Sequence, residues 1–181
     1  MKVAIAHSNV VSRDAIGVDI MGMHRILTES GFSVTLIGQR FDEEVEETAL
    51  TMSVAKAIAG PAPDILIYHH SIYWELGGTL LQRSGGVRVM KYHNVTPPEF
   101  FADYSPDYVN LCRMGREQTA RLIGLFGATD HYMADSDYNA AELFEAGAGE
   151  VSVAPPFTNV ASFLRSAGRT TAPAAHCATR R

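Results

Sequence analysis

Two cysteines, Cys112 and Cys177, are all the chain has, and they lie far apart with no CxxC and no histidine at metal-ligand spacing. That excludes a disulfide framework and a cysteine-built metal site, and reduced thiols of a cytosolic protein are expected. No apolar run of roughly 18 residues occurs, so no membrane-spanning helix is expected. The opening MKVAIAHSNVVSRD has too short an apolar core for a secretory signal and reads as a first strand. GxGxxG, the Walker sequence and GxSxG are also missing, which removes the sequence grounds for a dinucleotide fold, a P-loop enzyme or a nucleophile-elbow hydrolase. Acidic residues stop at Glu150: up to Leu164 there are 11 basic against 20 acidic side chains, or −9, and the remaining tail is +4. A body that acidic is not expected to bind nucleic acid, which needs a basic face to replace counterions.

The 181 residues are 46% hydrophobic and 19% charged, the size and balance of one ordinary globular domain. Strand and helix patterns alternate along them. KVAIA (2–6), SVTLI (33–37), DILIY (64–68), RVMKY (88–92), HYMA (131–134) and EVSVA (150–154) read as strands. Ile16, Ile20, Met23 and Leu27 mark one face of a helix that Gly31 ends. DEEVEE opens a predicted helix reaching Ile58, and another is expected from Tyr73 to Arg83. The most regular helix carries a stripe of Tyr108, Leu111, Cys112, Gly115, Thr119, Leu122, Ile123 and Phe126, leaving Arg113, Arg116, Glu117 and Arg121 to solvent. Ser136 is a predicted N-cap for a last helix that stops at Gly147. Short apolar strands alternating with helices predict an α/β domain, a doubly wound, mostly parallel, Rossmann-like sheet of about six strands covered on both faces.

Ligands in such sheets bind beyond the carboxyl ends of the strands. The residues expected there are His7-Ser8-Asn9, Gly38-Gln39-Arg40, His69-His70-Ser71, His93-Asn94 and Asp135-Ser136. Four of the seven histidines fall in these loops and no lysine does, which singles the histidines out as candidate ligand groups. Each also has a plainer reading, as a cap on a neighbouring carbonyl. Adjacent strand residues point to opposite faces, so His69 and His70 are not expected to converge on a metal, and none is expected. Gly17 near the first helix start either exposes backbone N–H groups to a phosphate or is simply a small residue where packing is tight. Pro97-Pro98 stiffen the loop that follows His93-Asn94.

At HNVTPPEFF, and again at ADSDYNAAELFEAGAGEVSVAPPFTNV, the chain resembles the N-terminal domain of family 4 glycosyltransferases of the GT-B fold, nearest to bacterial polysaccharide-building members. The Gly17 loop, DILIYHHSI and the CRMGREQTARL helix extend the resemblance over residues 1–164. It implies half of a two-domain, retaining, metal-independent hexosyltransferase. The N-terminal half would hold a glycan or lipid-linked acceptor, and a UDP- or GDP-hexose would be the co-substrate, with no other cofactor. By match to the motif, His93 would be catalytic, near the transferred sugar, and Gly17 would approach the donor diphosphate. Asn94 is read as a hydroxyl ligand, and His69 and Ser136 join the same strand-end site. Relatives imply a cytoplasmic enzyme, peripheral at the inner membrane face. After PPFTNVASFL the family pattern stops, and SAGRTTAPAAHCATRR (166–181) has neither periodicity nor acidic residues. Residues 165–181 are therefore read as a disordered basic tail of a truncated or out-of-frame chain, inactive alone. The alternative is the acceptor-binding subunit of a split transferase, completed by a separate donor-binding chain, or a non-catalytic binding module.

Overall fold

The computed structural model describes residues 1–127 and 130–158. The expected domain end at Leu164 and the tail 165–181 lie outside the described residues. A seven-stranded sheet organises the domain. It is built from β1 (Lys2–Ala6), β3 (Ser33–Gly38), β5 (Thr51–Ser53), β6 (Ile65–His70), β7 (Val87–Tyr92), β8 (His131–Ala134) and β9 (Val151–Val153). The spatial order is β5-β3-β1-β6-β7-β8-β9, and every neighbouring pair is parallel. A separate parallel pair, β2 (Asn9–Val10) with β4 (Arg40–Phe41), extends the ends of β1 and β3. The order reverses between β1 and β6, and that reversal opens the crevice in which doubly wound sheets hold ligands.

Helices cover both faces because both faces are apolar. On one side, α1 (Ala15–Glu29) and α2 (Glu43–Thr48) bury Ile20, Met23 and Val45 against Val3, Ile5, Val34, Leu36 and Ile67. On the other, α3 (Val54–Ala59), α4 (Glu75–Arg83), α5 (Pro106–Ile123) and α6 (Asp137–Glu145) cover Ala4, Leu66, Tyr68, Met90 and Tyr92. Helix ends follow local chemistry. Asp14, Asp42, Ser53, Ser105 and Ser136 cap five N-termini through side-chain oxygens. Gly31 and Gly147 stop α1 and α6 at φ +87° and +101°.

The structure corrects four expectations. The single helix from DEEVEE to Ile58 is two helices with the seventh strand between them: Thr51, Met52 and Ser53 pair with Leu36, Ile37 and Gly38. Thr and Ser are poor helix formers, and the open edge of β3 offers their backbone better partners than a helix would. The strand DILIY runs two residues further, because His69 and His70 pair with Lys91 and Tyr92. The helix expected from Tyr73 starts at Glu75: Trp74 is extended, and the Gln118 carboxamide bonds both its N–H and its carbonyl. On α5 the buried stripe is Cys112, Gly115, Gln118, Thr119, Leu122 and Ile123, whereas Tyr108 is exposed and stacks on Phe101. Arg116 stays exposed, as expected, while its guanidinium bonds the Val95 carbonyl at 2.9 Å and reaches Glu142. No helix among the described residues is long and apolar enough to cross a membrane.

Candidate functional site

Strand pleating decides which groups meet. Side chains two residues apart share a face, so His69 follows Ile67 toward α1, and Lys91 and His93 follow Val89. The register sets His69 beside Lys91 and Tyr92 beside Ala134. At the carboxyl ends of β1, β6, β7 and β8 this gathers His7, His69, Lys91, His93 and Asp135 on one face. Asp19 of α1 closes the group from above.

The distances show one connected cluster. His69 Nδ1 lies 2.8 Å from His93 Nε2. His93 Nδ1 is 2.7 Å from Asp135 Oδ2. Lys91 Nζ is 2.6 Å from Asp19 Oδ2 and 3.7 Å from Asp135 Oδ1. Asp19 Oδ2 is also 3.6 Å from His93 Nε2 and 3.7 Å from His69 Nδ1. The Lys91–Asp19 contact is an ion pair whose angles are not those of a hydrogen bond, so Asp19 Oδ2 has a countercharge but no aligned donor. Asp19 is wholly buried and Lys91 is 1% exposed. Burial holds His69 well below the ordinary histidine range, and His93, His7 and Lys91 push it the same way. Burial also lowers His7, although the His69 carbonyl, 3.0 Å from His7 Nδ1, partly offsets it.

Asp19 Oδ2, His69 Nδ1 and His93 Nε2 stand close enough to share a cation. A tetrahedral ion with bonds near 2.1 Å would want those edges at about 3.4 Å. Lys91 already supplies the positive charge at this carboxylate. His70 points the other way, as the pleat requires: its Nε2 is 2.8 Å from Thr119 Oγ1, and burial drives its pKa down to about 3.

The remaining expected site residues fall around this cluster. Asn94 follows His93 with φ +68°, a left-handed backbone uncommon outside glycine. Its Nδ2 is 3.3 Å from Asn139 Oδ1, while its buried Oδ1 has no hydrogen-bond partner. The next residue anchors the loop: Val95 N–H donates to Tyr92 Oη at 3.1 Å, and Tyr92 Oη donates to Glu142 at 3.0 Å. Pro97 then caps a short 3-10 turn, Pro98–Phe101. Ser136 Oγ is occupied as the α6 cap, accepting Asn139 N–H. Gly17 lies in the first turn of α1 with its N–H on the Asp14 carboxylate at 2.5 Å, and a Cβ there would sit 1.7 Å from the Val11 carbonyl oxygen. Packing alone therefore demands glycine at this position. His93 has a ring only 5% exposed, with both nitrogens facing protein groups.

Two members of the cluster escaped the sequence reading. Asp19 sits three residues after Ile16 and one before Ile20, inside the apolar stripe of α1, and a lone carboxylate there was the available signal. Lys91 corrects the statement that no lysine reaches the strand ends: it is the penultimate residue of β7, in a strand buried on both faces. Of the buried side-chain polar atoms lacking a hydrogen-bond partner among the described residues, His69 Nε2, Asn94 Oδ1 and Asp135 Oδ1 belong to the carboxyl ends of β6, β7 and β8, and Asp19 Oδ2 faces them. An open cavity of about 570 Å³ lies elsewhere, on the outer side of α1 against α2, lined by residues such as Met21, Arg25 and Glu44. The unpaired atoms thus gather at the strand ends and not around that cavity, whereas buried polar groups are normally paired.

No family model matches the chain, and no curated protein matches it significantly. Solved structures do. An alpha-glucosyltransferase in complex with UDP and a 13-mer DNA containing an HMU base superposes at TM-score 0.59 with 17% identity, over 92% of this chain and 45% of that one. The alpha-glucosyltransferase in complex with UDP gives 0.58 and 17%, over 90% and 45%. With UDP-glucose and DNA containing an abasic site the values are 0.55 and 16%, over 90% and 44%. The chain thus spans less than half the length of these structures. At such identity the likeness concerns fold, and it agrees with the sheet order: the domain has a glycosyltransferase-like fold, a Rossmann-like half of a GT-B type architecture.

Proposed function

We propose that this domain is the acceptor-side half of a hexosyltransferase, which moves a hexose from a nucleotide sugar to a hydroxyl of a glycan or lipid-linked acceptor. The observation that carries the reading is the set of unpaired polar atoms of His69, Asn94 and Asp135 at the carboxyl ends of β6, β7 and β8, the side of the sheet on which such folds bind ligands. The matched structures hold UDP or UDP-glucose, which supports a nucleotide sugar as co-substrate. Two of them also hold DNA. Here 20 acidic against 15 basic residues argue against a polyanionic acceptor. The HNVTPPEFF and ADSDYNAAEL stretches support the finer family 4 assignment.

Each residue takes a role from its place. Asn94 offers an unused carbonyl oxygen to an acceptor hydroxyl, on a backbone held in a strained conformation of the kind that collects at functional sites. His93 forms the floor, and its ring acts as a proton acceptor only after releasing Asp135 or His69. Gly17 and Ser136 shape the crevice rim. A second domain of the matched architecture would hold the donor.

Saturation-transfer NMR on the full chain tests this, with short hexose oligosaccharides and a 13-mer DNA duplex offered separately. Oligosaccharide binding, perturbing Asn94 and lost in Asn94→Ala, is expected. DNA binding with no oligosaccharide binding overturns the acceptor assignment, and binding of neither overturns the acceptor-side reading.

A further inference from the structure

Asp19 does two things with one carboxylate. Oδ2 faces Lys91, His69 and His93. Oδ1 accepts the backbone N–H of Phe157 at 2.9 Å, across 138 residues of chain. Phe157 belongs to the segment that leaves the sheet after β9, and it lies flat on α1 because residue 22 is glycine: a Cβ there would stand 2.4 Å from Phe157 Cβ. Phe157 also packs on the α1-side core. The departing segment is thus fastened to α1 at two neighbouring points, one of them an atom of the cluster itself.

A carboxylate is planar and rigid, so its two oxygens turn together. We infer that Asp19 is a positioning residue that couples residues 155–158 to the His69–His93 pair: displacing Phe157 turns Asp19 and resets the contacts of Oδ2 with Lys91 and both imidazoles. Full burial strengthens the link, because no solvent stands by to replace the Phe157 N–H at Oδ1. A salt bridge on an exposed surface would transmit nothing comparable. The coupling rests on distances inside the domain and stands independently of the transferase reading.

Long-range ¹H–¹⁵N spectra of the imidazole rings in the full chain test it. Gly22→Ala touches no histidine of the cluster yet pushes Phe157 off α1. Phe157→Pro removes the donor itself on a segment that already carries Pro155 and Pro156, so it keeps the test open if the first variant fails to fold. Both variants are expected to shift the ring nitrogens of His69 and His93 and to leave exposed His131 unmoved. Asp19→Asn should shift the same rings while keeping an acceptor for Phe157, whose amide exchange then stays within a few-fold of the parent. Unchanged His69 and His93 rings in a folded Gly22→Ala or Phe157→Pro chain overturn the inference, as does an equal shift at His131, which would signal general loosening.

Discussion

Replacing Lys91 by methionine isolates the ammonium of the buried cluster. Methionine keeps the unbranched stem and most of its packing between β6 and β8, so the change is electrostatic. Lys91 is 1% exposed, and its ammonium stands 2.6 Å from an Asp19 with no exposure, with Asp135 3.7 Å away. Removing one partner of such a pair leaves an uncompensated buried charge, a loss of about 3–5 kcal/mol. For a domain of this size each kcal/mol moves Tm by about 2–4 °C, so a fall of about 10 °C is expected. The double variant Lys91→Met/Asp19→Asn removes both charges, keeps an acceptor for Phe157 and should recover most of the loss, since discharging a buried pair together is often near neutral. Urea unfolding at pH 7 of the parent, both single variants and the double variant completes the cycle. A Lys91→Met chain within about 1 kcal/mol of the parent would refute the buried ion pair. So would a double variant no more stable than Lys91→Met.

Other outcomes follow from the same geometry. With the ammonium gone, Asp19 Oδ2, His69 Nδ1 and His93 Nε2 are free to take a divalent ion; Lys91→Met should develop Co²⁺ visible bands that the parent, also titrated, does not show. His70, with a folded-state pKa near 3, stays neutral while an unfolded histidine protonates below about 6.5, so the unfolded state binds more protons as pH falls. Stability should therefore be complete above pH 6.5 and decline toward pH 3, by about 2 kcal/mol at pH 5 from His70 alone, with His69 acting in the same direction. A flat urea midpoint between pH 7 and 5 contradicts this. Asn94→Gly relieves the left-handed backbone and should hold or raise Tm while weakening acceptor binding, a split that a merely structural Asn94 does not produce. Gly17→Ala must move the Val11 carbonyl and should cost more than the 1–3 kcal/mol typical of overpacking, read by thermal unfolding.

Regular, local features were legible before the structure. The strands 2–6, 33–37 and 131–134, the caps at Ser136 and Gly147, and the opposed directions of His69 and His70 follow from period, cap chemistry and pleat. What escaped depends on distant partners. β5 forms only because β3 presents an open edge, so local composition read as helix there. The Asp19–Lys91 pair was hidden for the opposite reason: each residue breaks its own apolar pattern, and the break has meaning only once α1 lies over β7. Arg116 is exposed as read, but its bonds were hidden because the partners, Val95 and Glu142, come from the loop after β7 and from α6.

The all-parallel sheet has a kinetic consequence for the cluster. No neighbouring strands can close as a hairpin; β1 meets β6 across 62 residues, where Val3 pairs with Ile65. Pairings that distant form slowly, after loop-closure entropy has been overcome. The cluster draws on α1, β6, β7 and the loop after β8, and its tie to Phe157 spans nearly the whole described chain. It therefore cannot be complete until β6, β7 and β8 have paired and α1 has docked over them. The 2.8 Å contact between His69 and His93 spans only 24 residues and needs β6 and β7 alone, whereas the bond of Asp19 to Phe157 needs both ends of the described chain. In a refolding experiment, recovery of the Asp19–Phe157 bond would report that the two ends of the described chain have met, where helix content would report only the local segments.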